Sequence, residues 1–149
     1  MKAVVQRVHA GRVEVAGEVV GSIERGLVAF VGAQAGDGEA DLDYLARKLV
    51  ELRVFEDERG KMAKSVVDAG GALLVVSQFT LLGDVSRGNR PSFTAAMPPG
   101  EAEALLARLV ARLRERVARV ETGRFGAEMR VVVDNDGPVT ILLDSRARA

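Results

Sequence analysis

Gly26-Leu27-Val28-Ala29-Phe30-Val31-Gly32 is the stretch on which the fold turns. The residues between its two glycines are all apolar. Neither side of an extended chain has anything to offer water there, so the segment reads as a strand covered on both faces. Upstream, residues 4–8 and 13–15 alternate apolar with polar side chains, with Gly11 between them and Gly17-Glu18 after them. They read as antiparallel strands with one wet face. Downstream, Asp37 or Asp41 suits the cap of a helix running to about Leu52, with Leu42, Leu45, Leu49 and Leu52 along one stripe.

Arg53-Val54-Phe55 then reads as a strand ended by Asp57-Glu58-Arg59-Gly60, and Gly70-Gly71 precedes an apolar strand over residues 73–79. Residues 83–91 form a loop rich in turn formers. Pro98-Pro99-Gly100 halts the chain before a long amphipathic helix from residue 101 to about 120, with Leu105, Leu109, Leu113 and Val117 at four-residue steps. Residues 129–143 read as two strands joined by a turn at Asn135-Asp136-Gly137-Pro138. These elements predict an α+β fold: a mostly antiparallel, barrel-like sheet with two main helices packed on one side. A chain of 149 residues forms a single domain over residues 1–149, long enough to bury roughly 70% of its unfolded surface.

Composition narrows the chemistry. There is no cysteine, which removes disulfides and thiolate metal sites. The one histidine, His9, lies in the alternating N-terminal stretch and reads as a structural or surface residue, a poor basis for a metal site or a Ser-His-Asp relay. Charge arrives at Lys2 and Arg7, too early for a secretory leader, and no apolar run approaches the roughly 20 residues of a membrane span. The expectation is a cytoplasmic protein with no membrane partner. Formal net charge is zero, so a broad electrostatic footprint for nucleic acid is missing; any RNA contact should be local, through a patch or a pocket for an end. Arg108, Arg112 and Arg116 share one helix face and read as solvated.

Two polar segments sit beside apolar strands: Ser77-Gln78-Phe79-Thr80-Leu81, and Asn135-Asp136-Gly137-Pro138-Val139-Thr140. Ser77 or Thr80 as a nucleophile needs an adjacent base. No second histidine exists, no glycine-flanked serine elbow is present, and nothing in the spacing recommends Lys61 or Lys64. The plain alternative is a strand edge with hydrogen-bonding side chains. Gly137-Pro138 combines a permissive residue with a donor-free one, a backbone finger able to sense shape; the plain alternative there is an ordinary turn. Arg87 and Arg90, with Lys61 or Lys64, suit a phosphate-facing rim near Phe79 and Thr80.

Taken in order, Val5-Gln6-Arg7-Val8, Gly60-Lys61-Met62, Val75-Val76-Ser77-Gln78-Phe79-Thr80-Leu81, Arg87-Gly88-Asn89-Arg90-Pro91-Ser92-Phe93, Thr122-Gly123-Arg124-Phe125-Gly126-Ala127-Glu128-Met129 and Asn135-Asp136-Gly137-Pro138-Val139-Thr140 resemble the bacterial D-aminoacyl-tRNA deacylases (the D-tyrosyl-tRNA(Tyr) deacylase family) along nearly the whole chain. One departure is Ala63, where relatives commonly carry asparagine. The resemblance implies a hydrolase of the ester bond in D-aminoacyl-tRNA, and in glycyl-tRNA mischarged on tRNA(Ala), that releases amino acid and tRNA without a metal or organic cofactor. It implies a homodimer with active sites at the subunit interface. In that picture Ser77, Gln78, Phe79 and Thr80 form the catalytic segment. Gly137 and Pro138, joined by a cis peptide, reach into the partner's pocket, grip the substrate and reject L-amino acids. Arg7 braces that finger through backbone oxygens, and Phe125, Gly126 and Met129 shape a slot for the terminal adenosine. The resemblance leaves two activation routes, the tRNA's own 2′-hydroxyl or Thr80 as nucleophile; the lack of a base for Thr80 favours the first. Rival readings are a non-catalytic module that binds the tRNA 3′ end, a serine esterase using Ser77, and a purely structural dimer of strands.

Overall fold

Strand β3 (Gly26–Gly32) lies inside the sheet, with β1 (Lys2–Val15) antiparallel on one side and β6 (Ala72–Ser77) parallel on the other. The computed structural model describes residues 1–147. The chain continues from β1 into β2 (Glu18–Ile23), and after β3 into α1 (Glu39–Glu51), a small pair β4 (Phe55–Glu56) and β5 (Met62–Lys64), and then β6. A short 3-10 turn (Phe79–Leu82), α2 (Pro99–Arg114), β7 (Val120–Thr122) and β8 (Arg130–Asp144) complete it. The sheet order is β2-β1-β3-β6-β7, with β8 paired to β1. β3, β6 and β7 run parallel because α1 and α2 supply the long crossovers that parallel neighbours require. Among the described residues no helix is long and apolar enough to cross a membrane.

The sheet curls until β7 meets β2. A Cβ built on Gly21 would lie 2.1 Å from the Thr122 carbonyl oxygen, so only glycine lets the two backbones come this close. Arg119 clamps the seam by donating to the Ser22 carbonyl at 2.9 Å. This curl explains the unbroken apolar run of β3. Leu27, Ala29 and Val31 face a core shared with Leu42, Leu45 and Leu49 of α1 and Leu109 and Leu113 of α2. Val28 faces a second core inside the curl with Val8, Val13, Ile23, Leu74 and Val76.

The α+β, barrel-like architecture with two main helices agrees with the sequence reading; several boundaries do not. Residues 4–8 and 13–15 belong to one strand, because Gly11 is a point of close packing, with Val28 Cγ2 only 2.7 Å from where its Cβ would be. Arg53 and Val54 stay outside β4. β6 stops at Ser77, and Phe79 enters the 3-10 turn. α2 ends at Arg114, well short of residue 120, since the Arg114 guanidinium donates to the Val120 carbonyl at 3.0 and 3.3 Å and folds the next segment back. Val117 and Val120 then enter the core from beyond the helix. The helix caps itself at Gly38 in α1, where Asp41 accepts the Gly38 N–H at 2.9 Å.

The largest correction concerns residues 129–143. From residue 130 they belong to one strand and not a hairpin: β8 pairs with β1 from Lys2↔Asp144 to Glu14↔Arg130, and Met129 lies just before it. Between the pairs Gln6↔Thr140 and Val8↔Asn135, β1 has only Arg7, whereas β8 has Asp136, Gly137, Pro138 and Val139. The surplus leaves the ladder as a large bulge, and the chain resumes its direction afterwards.

Gly21→Ala should destabilise the protein by about 1–3 kcal/mol in urea denaturation by forcing the seam apart. Gly100→Ala, where no atom lies within 4 Å of a new Cβ, should be neutral or slightly stabilising; equal effects would refute the close-packed seam.

Candidate functional site

The C-terminal end of β6 builds a pocket. Gln78 extends the β3 pairing by donating its N–H to the Val31 carbonyl at 2.8 Å, after which the chain wraps into the 3-10 turn. Buried Leu82 anchors that turn against Gly32, where a Cβ would meet Leu82 Cδ2 at 2.6 Å and the Gln78 carbonyl at 2.8 Å. Phe79 and Thr80 are left exposed at the rim. The first two N–H groups of a helical turn have no partner within it, and among the described residues no hydrogen bond is donated by the Phe79 or Thr80 N–H.

The pocket holds about 520 Å³ and brings Ser77, Gln78, Phe79 and Thr80 together with Phe125, Gly126 and Met129. Its remaining walls come from the start of α2, through Pro98, Ala102 and Leu106, and from Phe93 and Met97. Met97 is fixed by its N–H to the Ala33 carbonyl at 3.0 Å. The Phe93 ring meets Phe79 edge-on at 5.1 Å. Among the described residues no Asp, Glu, Lys, Arg or His lines this space. The Thr80 hydroxyl accepts from the Gln78 side-chain amide at 3.1 Å, which orients it without offering a base. Among the described residues no group of three or more His, Asp or Glu converges as a metal would require.

The bulge of β8 is a second, separate constellation. Its Gly137–Pro138 peptide is cis, Gly137 has φ +122°, and both residues are exposed. Asn135 clasps its base, donating from Nδ2 to the Arg7 carbonyl at 3.0 Å and to the Val139 carbonyl at 3.1 Å. Arg7, 6% exposed, donates to the Val54 carbonyl at 2.7 Å. Its Nε stands 3.1 Å from Asp136 Oδ2 but off the N–H direction, so this contact is an ion pair without a good hydrogen bond. Asp136 also meets His9 Nε2 at 3.4 Å, and Glu56 comes within 4.0 Å of the Arg7 guanidinium. Arg7 thus holds the bulge through the Asp136 side chain; the backbone oxygen it binds belongs to residue 54 and not to the finger. Sequence reasoning singled out the segments holding Asn135, Asp136 and Phe93 but gave those residues no role of their own, and it missed Val54 here and Met97, Ala102 and Leu106 in the pocket. The Asn135-Asp136 pair interrupting an apolar strand was the readable signal.

Within one chain, Gly137 and Pro138 are absent from the pocket lining. Lys64 in β5 and Lys61 just before it lie outside that lining, and Lys64 pairs with Glu58 at 3.6 Å.

Comparison with known proteins gives a consistent answer. Residues 4–144 match the family model described as D-Tyr-tRNA(Tyr) deacylase. A D-aminoacyl-tRNA deacylase of Sorangium cellulosum (strain So ce56) is 61% identical over 147 residues, covering 98% of each chain. One from Heliobacterium modesticaldum (strain ATCC 51547 / Ice1) is 56% identical over 146 residues, covering 98% of this chain and 97% of the relative. The solved structure named c-Myc DNA Unwinding Element Binding Protein superposes with a TM-score of 0.92 at 46% identity, covering 97% of this chain and 98% of that one.

Arg7→Ala should cost roughly 2–4 kcal/mol, since it strips a buried carbonyl of its donor and leaves Asp136 facing only His9. Arg7→Lys should recover less than half of that, because an ammonium cannot serve both partners. Equilibrium urea denaturation measures both; a loss under about 1 kcal/mol for Arg7→Ala would refute the bracing role.

Proposed function

The chain belongs to the D-Tyr-tRNA(Tyr) deacylase family, and from that premise we propose that its residues 1–149 act as one domain hydrolysing the ester between a D-amino acid and the 3′ end of tRNA. The observation that carries this reading is the pocket at the end of β6, which offers free backbone N–H donors and hydroxyls but no ionisable side chain. An aminoacyl ester is already labile, so positioning and electrostatic stabilisation can supply most of the acceleration. The Phe79 and Thr80 amides suit the developing oxyanion. Phe125, Gly126 and Met129 suit the face of the terminal adenosine, and the tRNA's 2′-hydroxyl takes the activating role for which Thr80 lacks a base.

Selectivity requires exclusion. One methyl-sized contact is worth only about 1–3 kcal/mol, or 10- to 200-fold, too little to spare abundant L-aminoacyl-tRNA. A clash against the wrong hand is more effective. In our reading the exposed Gly137 and Pro138 of one protomer enter the pocket of a second copy, where their backbone leaves room for a D side chain or for glycine. Among the described residues the outer edge of β8 has no strand partner, and this edge, with Leu142 77% exposed, favours a homodimer. The same pocket on a non-catalytic tRNA-end binder is the alternative that the assay below separates.

Deacylation of D-tyrosyl-, glycyl- and L-tyrosyl-tRNA under identical conditions should give turnover of the first two and none of the third; binding without release of amino acid would refute catalysis. Thr80→Ala should keep D-tyrosyl-tRNA hydrolysis within about tenfold of the parent, while a loss of roughly a thousandfold or more would restore Thr80 as nucleophile. Sedimentation equilibrium should give twice the 15.9 kDa chain mass, and a monomer that remains active would overturn the shared site.

A further inference from the structure

We infer that the loop of residues 83–93 grips the single-stranded 3′ end of the tRNA, with Arg87 and Arg90 taking the phosphates of the nucleotides that precede the esterified adenosine. This inference rests on the deacylase reading of the pocket and adds the surface that holds the nucleic acid. Among the described residues the pocket lining has no charged side chain, so it holds no counter-charge for a phosphate. With zero net charge, the chain has no general attraction for RNA either, and the grip has to be local.

The loop is built onto the pocket wall. It ends at Phe93, a lining residue, and begins at Gly83, where a Cβ would come within 3.0 Å of the Phe93 ring. Its stem is tied both ways, Asp84 N–H to the Ser92 carbonyl at 2.8 Å and Ser92 N–H to the Asp84 carbonyl at 2.9 Å. Arg87 and Arg90 stand exposed beyond this stem, and among the described residues neither has an ion pair or side-chain hydrogen bond. The arginines on and just after α2 differ: Arg108, Arg112 and Arg116 are engaged with Glu39, Asp43 and Glu51. The one carboxylate of the loop, Asp84, is taken by Ser86, whose N–H donates to it at 2.9 Å and which holds its carboxyl below the usual range. The two guanidinium groups are therefore free for an outside anion. Phe79 and Phe93, 59% and 36% exposed and in edge contact, form an aromatic lip where the loop joins the pocket. Unstacked RNA ends are held by this combination, bases against aromatic faces and phosphates on arginine forks.

The test compares D-tyrosyl esters of adenosine and of the trinucleotide CCA, together with full D-tyrosyl-tRNA, using the wild-type protein and the double variant Arg87→Ala/Arg90→Ala. Wild-type kcat/KM should rise about tenfold or more from the nucleoside ester to the trinucleotide ester, and the double variant should lose most of that gain. The ratio is internal to each protein and so is insensitive to partial misfolding. With full tRNA, the loss should fall on KM and not on kcat. The plot of log(kcat/KM) against log salt should flatten by about 1.4, or about 0.7 for each phosphate left without its arginine. Arg87→Lys/Arg90→Lys should restore part of both. An equal gain per added nucleotide in both proteins, with an unchanged salt slope, would overturn the grip while leaving the deacylase reading intact. Wild-type inactivity on D-tyrosyl-tRNA would defeat that reading, and the inference with it.

Discussion

The ladder between β1 and β8 is the constraint around which the molecule is organised. Two strands separated by almost the entire chain pair from Lys2↔Asp144 to Glu14↔Arg130, and a one-residue slip would turn every apolar side chain to the wrong face. The surplus of residues opposite Arg7 therefore cannot be absorbed by sliding. It is expelled as a bulge, and β1 compensates nearby with His9 as its own extra residue between Val8 and Ala10. Arg7, His9, Asn135 and Asp136 gather at this fault because the ladder's backbone groups are unpaired there and polar side chains must replace them.

The pocket and the bulge have opposite characters. Among the described residues the pocket lining carries no charged side chain and offers only hydroxyls, an amide, backbone groups and apolar surface. The bulge is held by a buried guanidinium that ties it to one other segment, meeting the Val54 carbonyl and Glu56 on one side and Asp136 on the other.

Much of this was readable from residue order. The apolar run of β3 announced burial on both faces, and the Leu105, Leu109 and Leu113 stripe announced α2. The polar break after residue 76 marked the pocket rim. Where the reading failed, a long-range contact had overridden a local signal. Gly11 looked like a break between two strands but is a site of tight packing against Val28 within one; Val117 continued a helical stripe although Arg114 had already ended the helix by reaching Val120. Asn135-Asp136-Gly137-Pro138 has the composition of a hairpin turn, and only its shared partner strand makes it a bulge.

Sequence alone determined the alternation of elements, the absence of thiol chemistry, the scarcity of bases and the two polar segments, because these follow from side-chain type and short-range periodicity. Tertiary structure decided that Phe93 and the start of α2 complete the pocket, that Arg7 reaches Val54 and Asp136, and that the finger lies outside its own chain's pocket. These depend on which distant strands pair and in what register. That choice is made by the summed burial of both cores, a property no local window of the chain contains.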